Sequence, residues 1–281
     1  MTAPQERTTA ANAELALLLE VAGSPKPGNV DRHREYDDLR FEHFLAGAVG
    51  ARPGLEAART TTPGVAFEQA VRGMAHQRGG NTQFGALLVL IPLVRAASRG
   101  ELTPAGVQQV TAATTVEDAV AFYRAFDIVD VAIGEPPPGM APLDVRRGAE
   151  AADELREQGL TLEAVMELSA DVDGVAEGWT NGFERCFQAA EWLGETEGAL
   201  SERVSRVFCR LLGANLDTFV QKTAGTAAAK EATARASAVL AEEEDPEALA
   251  DEFVDREINP GTTADLTAGA VFVALERGLE V

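Results

Sequence analysis

The chain has 281 residues and a formal net charge of −21, from 45 Asp and Glu against 24 Lys and Arg. A hydrophobic share of 46% is ample for a buried core, while so acidic a composition excludes the basic stripe that displaces counterions from a nucleic-acid backbone. The only lysines are Lys26, Lys222 and Lys230. An acid-rich, lysine-poor surface suits a cytoplasm of molar salt, where screening relieves self-repulsion, and points to a cytoplasmic protein of a halophile.

The N-terminus has no basic stretch followed by an apolar one, and the longest apolar run, Ala86 to Val94, is short of the ~20 residues of a spanning helix. No membrane segment is expected. Cys186 and Cys209 are isolated, forming neither a disulfide framework nor a zinc pattern, and read as core fillers of an intracellular chain.

Taken in order, residues 1–9 read as disordered, and helical periodicity follows nearly everywhere. Leu15, Leu18, Leu19 and Ala22 form one stripe; Phe41, Phe44, Leu45 and Ala48 a second; Val116, Ala119, Val120, Tyr123 and Ile128 a third. Thr103-Pro104 places proline at a first helical position, Thr115 to Asp118 is spaced as a capping box, and Thr161 precedes another apolar run. Pro-Gly pairs at Pro53-Gly54, Pro63-Gly64, Pro138-Gly139 and Pro260-Gly261 punctuate the helices, and Pro136 to Pro138 is the stiffest connection. Ala224 to Glu244 is a strong helix former. Trp179, Trp192, Phe183 and Phe187 recur at helical spacing and read as core, and none of His33, His43 and His76 reads as catalytic. The expectation is an all-α single domain over residues 1–281, of about ten to twelve helices.

Four polar stretches interrupt this pattern. Ser24 to Arg32 (Ser-Pro-Lys-Pro-Gly-Asn-Val-Asp-Arg) holds a bent path in which Lys26, Asn29, Asp31 and Arg32 can converge. Glu68 lies on a helix ahead of Gly79-Gly80-Asn81-Thr82-Gln83-Phe84-Gly85, where the glycines let backbone approach a ligand and a helix start favours anions. The third runs from Asn215 to Gly225 and groups Asp217, Thr218 and Lys222; the fourth, Asn259 to Asp265, sets Thr262 and Asp265 at capping-box spacing. Each alone is an ordinary cap or turn. Together they are four polar helix starts.

In this order and approximate spacing, Lys26 to Arg32, Glu68-Gln69-Ala70, Gly80-Asn81-Thr82 with Gly85, Asp217-Thr218, and Asn259-Pro260-Gly261 with Ala264-Asp265 resemble the triphosphoribosyl-dephospho-CoA synthase family, over roughly residues 15–275. The resemblance implies a helical enzyme that transfers the triphosphoribosyl group of ATP to the 2′-hydroxyl of 3′-dephospho-CoA, with adenine leaving. It implies carboxylates from Asp31, Glu68, Asp217 and Asp265 for catalysis and for Mg²⁺. Lys26, Arg32 and Lys222 would face polyphosphate, and Gly28, Asn29, Gly80, Asn81, Thr82, Thr218 and Gly261 would complete nucleotide binding. Two departures bear on the acceptor: Gln83-Phe84-Gly85 stands where lyase-associated members read His-Lys-Gly, and Lys222-Thr223-Ala224-Gly225 stands where an Arg-Gly-Gly element is common.

These residue types suit the chemistry. Displacing a base from ribose builds oxocarbenium-like charge that a carboxylate stabilises, while a second carboxylate can take the hydroxyl proton. Triphosphate needs Mg²⁺ and retained cations in so acidic a protein. A metal-dependent nucleotide or N-glycoside hydrolase, or a non-catalytic nucleotide-binding protein, would use the same residues. The partners expected are ATP and a dephospho-CoA-like molecule, without nucleic acid or membrane, and with a homo-oligomer left open.

Overall fold

The computed structural model describes residues 7–134, 136 and 140–281, and every regular element among them is helical. The first half carries α1 (Thr9–Ala22), α2 (Phe41–Ala58), α3 (Pro63–Met74), α4 (Phe84–Ser98), α5 (Pro104–Ala112) and α6 (Val116–Ala125). After two 3-10 turns come α7 (Ala152–Gln158), α8 (Leu162–Glu167), α9 (Gly174–Asn181), α10 (Glu184–Glu195) and α11 (Leu200–Ala214). The last four are α12 (Thr218–Thr223), α13 (Thr226–Leu240), α14 (Pro246–Asp255) and α15 (Gly261–Glu276). The excess over ten to twelve comes from α7, α8 and α12, whose seven, six and six residues are too few for a complete apolar stripe.

Start signals were legible where the cap is a side chain. Thr103 accepts from the Gly106 amide with Pro104 at the first helical position, Thr115 and Asp118 form the reciprocal box, and Thr161 caps α8. Thr8 caps α1, so order begins inside the stretch expected to lack it; residues 1–6 lie outside the described set. Pro53-Gly54 does not punctuate. It lies inside α2, whose axis runs so close to α3 that a Cβ on Gly54 would overlap the backbone of Ala70. Pro138-Gly139 lies outside the described residues, as do Pro137 and Glu135 of that connection.

Two helices are apolar on nearly every face, α4 and α15, and such helices belong in the middle of a fold. They pack on each other, with α1 and α10 against α15, and bury Leu87, Val89, Leu90, Ile91, Val271, Phe272 and Val273 completely. The face α1 turns to this core is Ala10, Ala13, Ala16 and Leu17, not the predicted leucines, which are only partly buried. Small side chains permit the closer helix approach, and the longer Leu15, Leu18 and Leu19 flank it. Trp179 and Phe183 are core residues. So are Cys186 and Cys209, whose thiols burial pushes up to about 12.

A second cluster, built on Phe208, Leu212, Ala229, Ala236 and Phe253, joins α11, α13 and α14. No helix among the described residues is long and apolar enough to cross a membrane.

Candidate active site

The central pair α4 and α15 opens its N-terminal ends onto one cavity of about 280 Å³. Its rim takes in Phe84, Gly85 and Ala86 from α4, Gly261, Thr262 and Asp265 from α15, and Val175 and Ala176 from the start of α9. The positive helix ends therefore converge there. The same cavity is lined by the aromatic rings of Phe122 and Phe126, which with Phe84 form a cluster at centroid separations of 4.9 to 6.5 Å.

Against this positive end-field the chain sets carboxylates. Asp265, in the second turn of α15, lines the cavity beside Gly85, where any Cβ would overlap its carboxylate. Its pKa is raised well above the usual carboxylate value, chiefly by burial and then by the charges of Glu20, Asp217 and Asp173, with the Ala86 backbone amide opposing. Among the described residues Asp265 has no ion-pair partner. Glu20 and Asp173 also line the cavity. Burial raises the Glu20 carboxyl while its partner Lys26 lowers it. Asp173 caps α9 through the Val175 and Ala176 amides, at 3.0 and 3.1 Å, and its other oxygen lies 3.8 Å from Lys222 Nζ.

The predicted residues divide. Asn29, Asn81, Thr82, Lys222, Gly261 and Asp265 line the cavity. Lys26 stands one shell behind: fully buried, it donates to Glu20 and to Asn29 Oδ1 at 2.9 Å, and Asn29 in turn donates to Asn259 at 2.9 Å. Thr218 bridges helix starts, accepting from the Gly174 amide at 3.0 Å and meeting Thr262 Oγ1 at 3.0 Å. Thr262 is thus occupied with Thr218, and α15 is not closed by the Thr262–Asp265 capping box that the spacing suggested.

Six others do not border the cavity. Asp31 is consumed by its own loop, accepting from Ser24 Oγ, the Lys26, His33 and Arg34 amides and the Arg34 guanidinium. Glu68 is gripped by Arg72 and Arg124 at 2.7 to 3.0 Å. Asp217 caps α12 through the Val220 amide at 2.9 Å and accepts from Thr263 N and Oγ1, both at 2.7 Å; this fixes the start of α15 beside the site. Arg32 is exposed. Gly28, at φ +73°, makes the turn of the first stretch, and a Cβ would overlap the Ile258 carbonyl. Gly80 also turns with positive φ, and its carbonyl accepts from Gln77 at 2.6 Å.

Sequence reasoning missed Glu20 and Asp173. The signal for Glu20 was a carboxylate set among Ala13, Ala16, Leu17 and Val21 at helical spacing, a position where an unpaired charge is costly. Asp173 carried only an ordinary cap signal. It also missed the state of Gln83, buried on the cavity wall with both carboxamide atoms unpaired among the described residues. Among the described residues no three His, Cys, Asp or Glu side chains group closely enough to hold a metal alone.

Comparisons with known proteins bear on the fold and the family. A crystal structure named for a triphosphoribosyl-dephospho-CoA synthase from Archaeoglobus fulgidus superposes with a TM-score of 0.71, at 24% identity over 86% of this chain and 100% of the other; at that identity it speaks for the fold. No curated protein gives a match. The sequence profile of the ATP:dephospho-CoA triphosphoribosyl transferases matches residues 6–280, and the chain belongs to that family.

Proposed function

We propose that this chain joins C1′ of the ATP ribose to the 2′-hydroxyl of 3′-dephospho-CoA, or of a close relative, and releases adenine while keeping the triphosphate. The observation that carries this reading is the raised carboxyl of Asp265, without an ion-pair partner among the described residues, on a cavity that also holds an aromatic wall, two further carboxylates and Lys222. The oxygen–C1′ bond forms as the C1′–N9 bond breaks, adenine departs with the bonding electrons and takes up a proton, and the hydroxyl proton passes to a carboxylate, so that one proton is lost by the acceptor and one gained by the base.

The roles follow from the partners. Glu20, its pKa raised by burial and its position held by Lys26, takes the hydroxyl proton; a carboxyl shifted toward neutrality is the better base there. Asp265 and Asp173 would hold Mg²⁺. Although no three-carboxylate cluster is present among the described residues, magnesium takes one or two carboxylates and fills its shell with phosphate oxygens and water, so this pair would suffice. The ion would neutralise triphosphate charge and relieve the repulsion that lifts Asp265. Lys222 and the positive N-terminal end of α15 face the remaining phosphate charge.

Mass spectrometry tests the assignment. Incubation with Mg²⁺-ATP and dephospho-CoA should give an acceptor heavier by one triphosphoribosyl group, and Asp265→Asn should abolish that product while keeping helical circular dichroism. Formation of a phosphorylated or adenylylated acceptor instead would overturn it.

A further inference from the structure

Resting on that reading, we infer that Gln83 and Thr82 recognise an adenine base. Gln83 is 3% exposed and lines the cavity, yet its Oε1 and Nε2 atoms have no hydrogen-bond partner among the described residues, and the neighbouring Thr82 hydroxyl, also on the cavity wall, is buried and likewise without a partner among them. Nearly all buried side-chain polar groups in folded proteins are paired, so three unpaired atoms in adjacent residues mark a place where something else completes them. Both groups lie against Gly47 of α2: a Cβ there would come within 2.6 Å of Thr82 Oγ1 and 3.2 Å of Gln83 Oε1. The room they occupy is made by a missing side chain.

A carboxamide presents one acceptor beside one donor. Adenine is the complement, since its exocyclic amine donates next to a ring nitrogen that accepts, the pairing glutamine makes with adenine edges elsewhere. A phosphate offers no donor to Oε1. The flexible amides of a pantetheine arm offer the right atoms but not the flat apolar faces that Phe84, Phe122 and Phe126 are placed to cover on the same cavity. The base can be that of ATP or that of dephospho-CoA, because both carry adenine; the experiment separates them.

Calorimetry in the presence of Mg²⁺ would compare ATP, purine riboside triphosphate (which lacks the 6-amino group) and dephospho-CoA, on the parent and on Gln83→Met. The parent should bind ATP about ten- to a hundredfold more tightly than the purine analogue, and Gln83→Met should erase that gap. Its unchanged affinity for the analogue would show that it is folded. If Gln83→Met weakens dephospho-CoA instead and leaves ATP alone, the adenine read is the acceptor's. Equal binding of dephospho-CoA by parent and variant together with a gap that persists in Gln83→Met, or with no gap in the parent, would overturn the inference while leaving the transferase reading intact. A parent that binds neither ligand would remove both.

Discussion

Gly85 and Asp265 share one space: the carboxylate of Asp265 occupies the position that a Cβ on residue 85 would take, at the point where the two central helices open onto the cavity. This explains glycine at the second position of α4 without appeal to backbone conformation. Gly85→Ala should therefore displace Asp265 while leaving the helix slightly favoured. We expect kcat/KM to fall on the order of a hundredfold, the scale of an ångström-sized misplacement in an active site, with a melting temperature near that of the parent. Undiminished turnover by Gly85→Ala would show that the position of Asp265 is not critical.

Asp265 also links the site to stability. A carboxyl whose folded-state pKa lies above its unfolded value contributes stability that is complete below the unfolded pKa and is lost as pH rises through the folded one. Asp265, Glu20 and Asp217 are all shifted that way by burial. The ligand-free protein should accordingly lose stability as pH rises from about 4 toward neutrality. Asp265→Asn should flatten that slope and melt higher at pH 7, by a gain on the order of 1 kcal/mol, or a few degrees. Thermal melts across pH decide it; a variant less stable than the parent at pH 7 would mean that the charge is compensated.

The sequence was most legible where one residue does one local job. Thr103, Thr115 and Thr161 announce helix starts because a side-chain oxygen needs only its own first turn. It was least legible where the same residue type serves two ends: Asp31, Asp217 and Asp265 all sit beside glycine, proline or a helix start, yet the first two spend their oxygens on backbone amides and Thr263, and only Asp265 is left facing the cavity. Which carboxylate is free depends on donors brought up from 46 residues away, as with Thr263 and Asp217. Glu20 hid for a related reason, since leucines marked α1 more strongly than the alanine face that carries it.

Asp217→Asn separates support from ligation. The amide can still accept from Val220, but its NH₂ would face the Thr263 donors that now reach the second oxygen. A cost of about 1–3 kcal/mol is expected, with Mg²⁺-ATP affinity kept within about tenfold. A folded Asp217→Asn protein that no longer binds Mg²⁺-ATP would place Asp217 among the ligands.

We propose that the charge imbalance makes the fold salt-dependent. Arg235 and Arg256 share Glu231 and Glu252 in a surface network, but 45 acidic residues against 24 basic ones leave many carboxylates without a cation. Lowering potassium chloride from molar to 0.1 M lengthens screening from ~3 to ~10 Å and should lower the melting temperature. A flat or rising melting temperature would refute adaptation to high salt.

The central claim is a transfer in which the acceptor triggers loss of the base. Adenine release from Mg²⁺-ATP, followed by chromatography with and without dephospho-CoA, tests it most directly. The account predicts release only when the acceptor is present, one adenine for each acceptor consumed. Adenine appearing at the same rate without any acceptor would make the protein a hydrolase and contradict it.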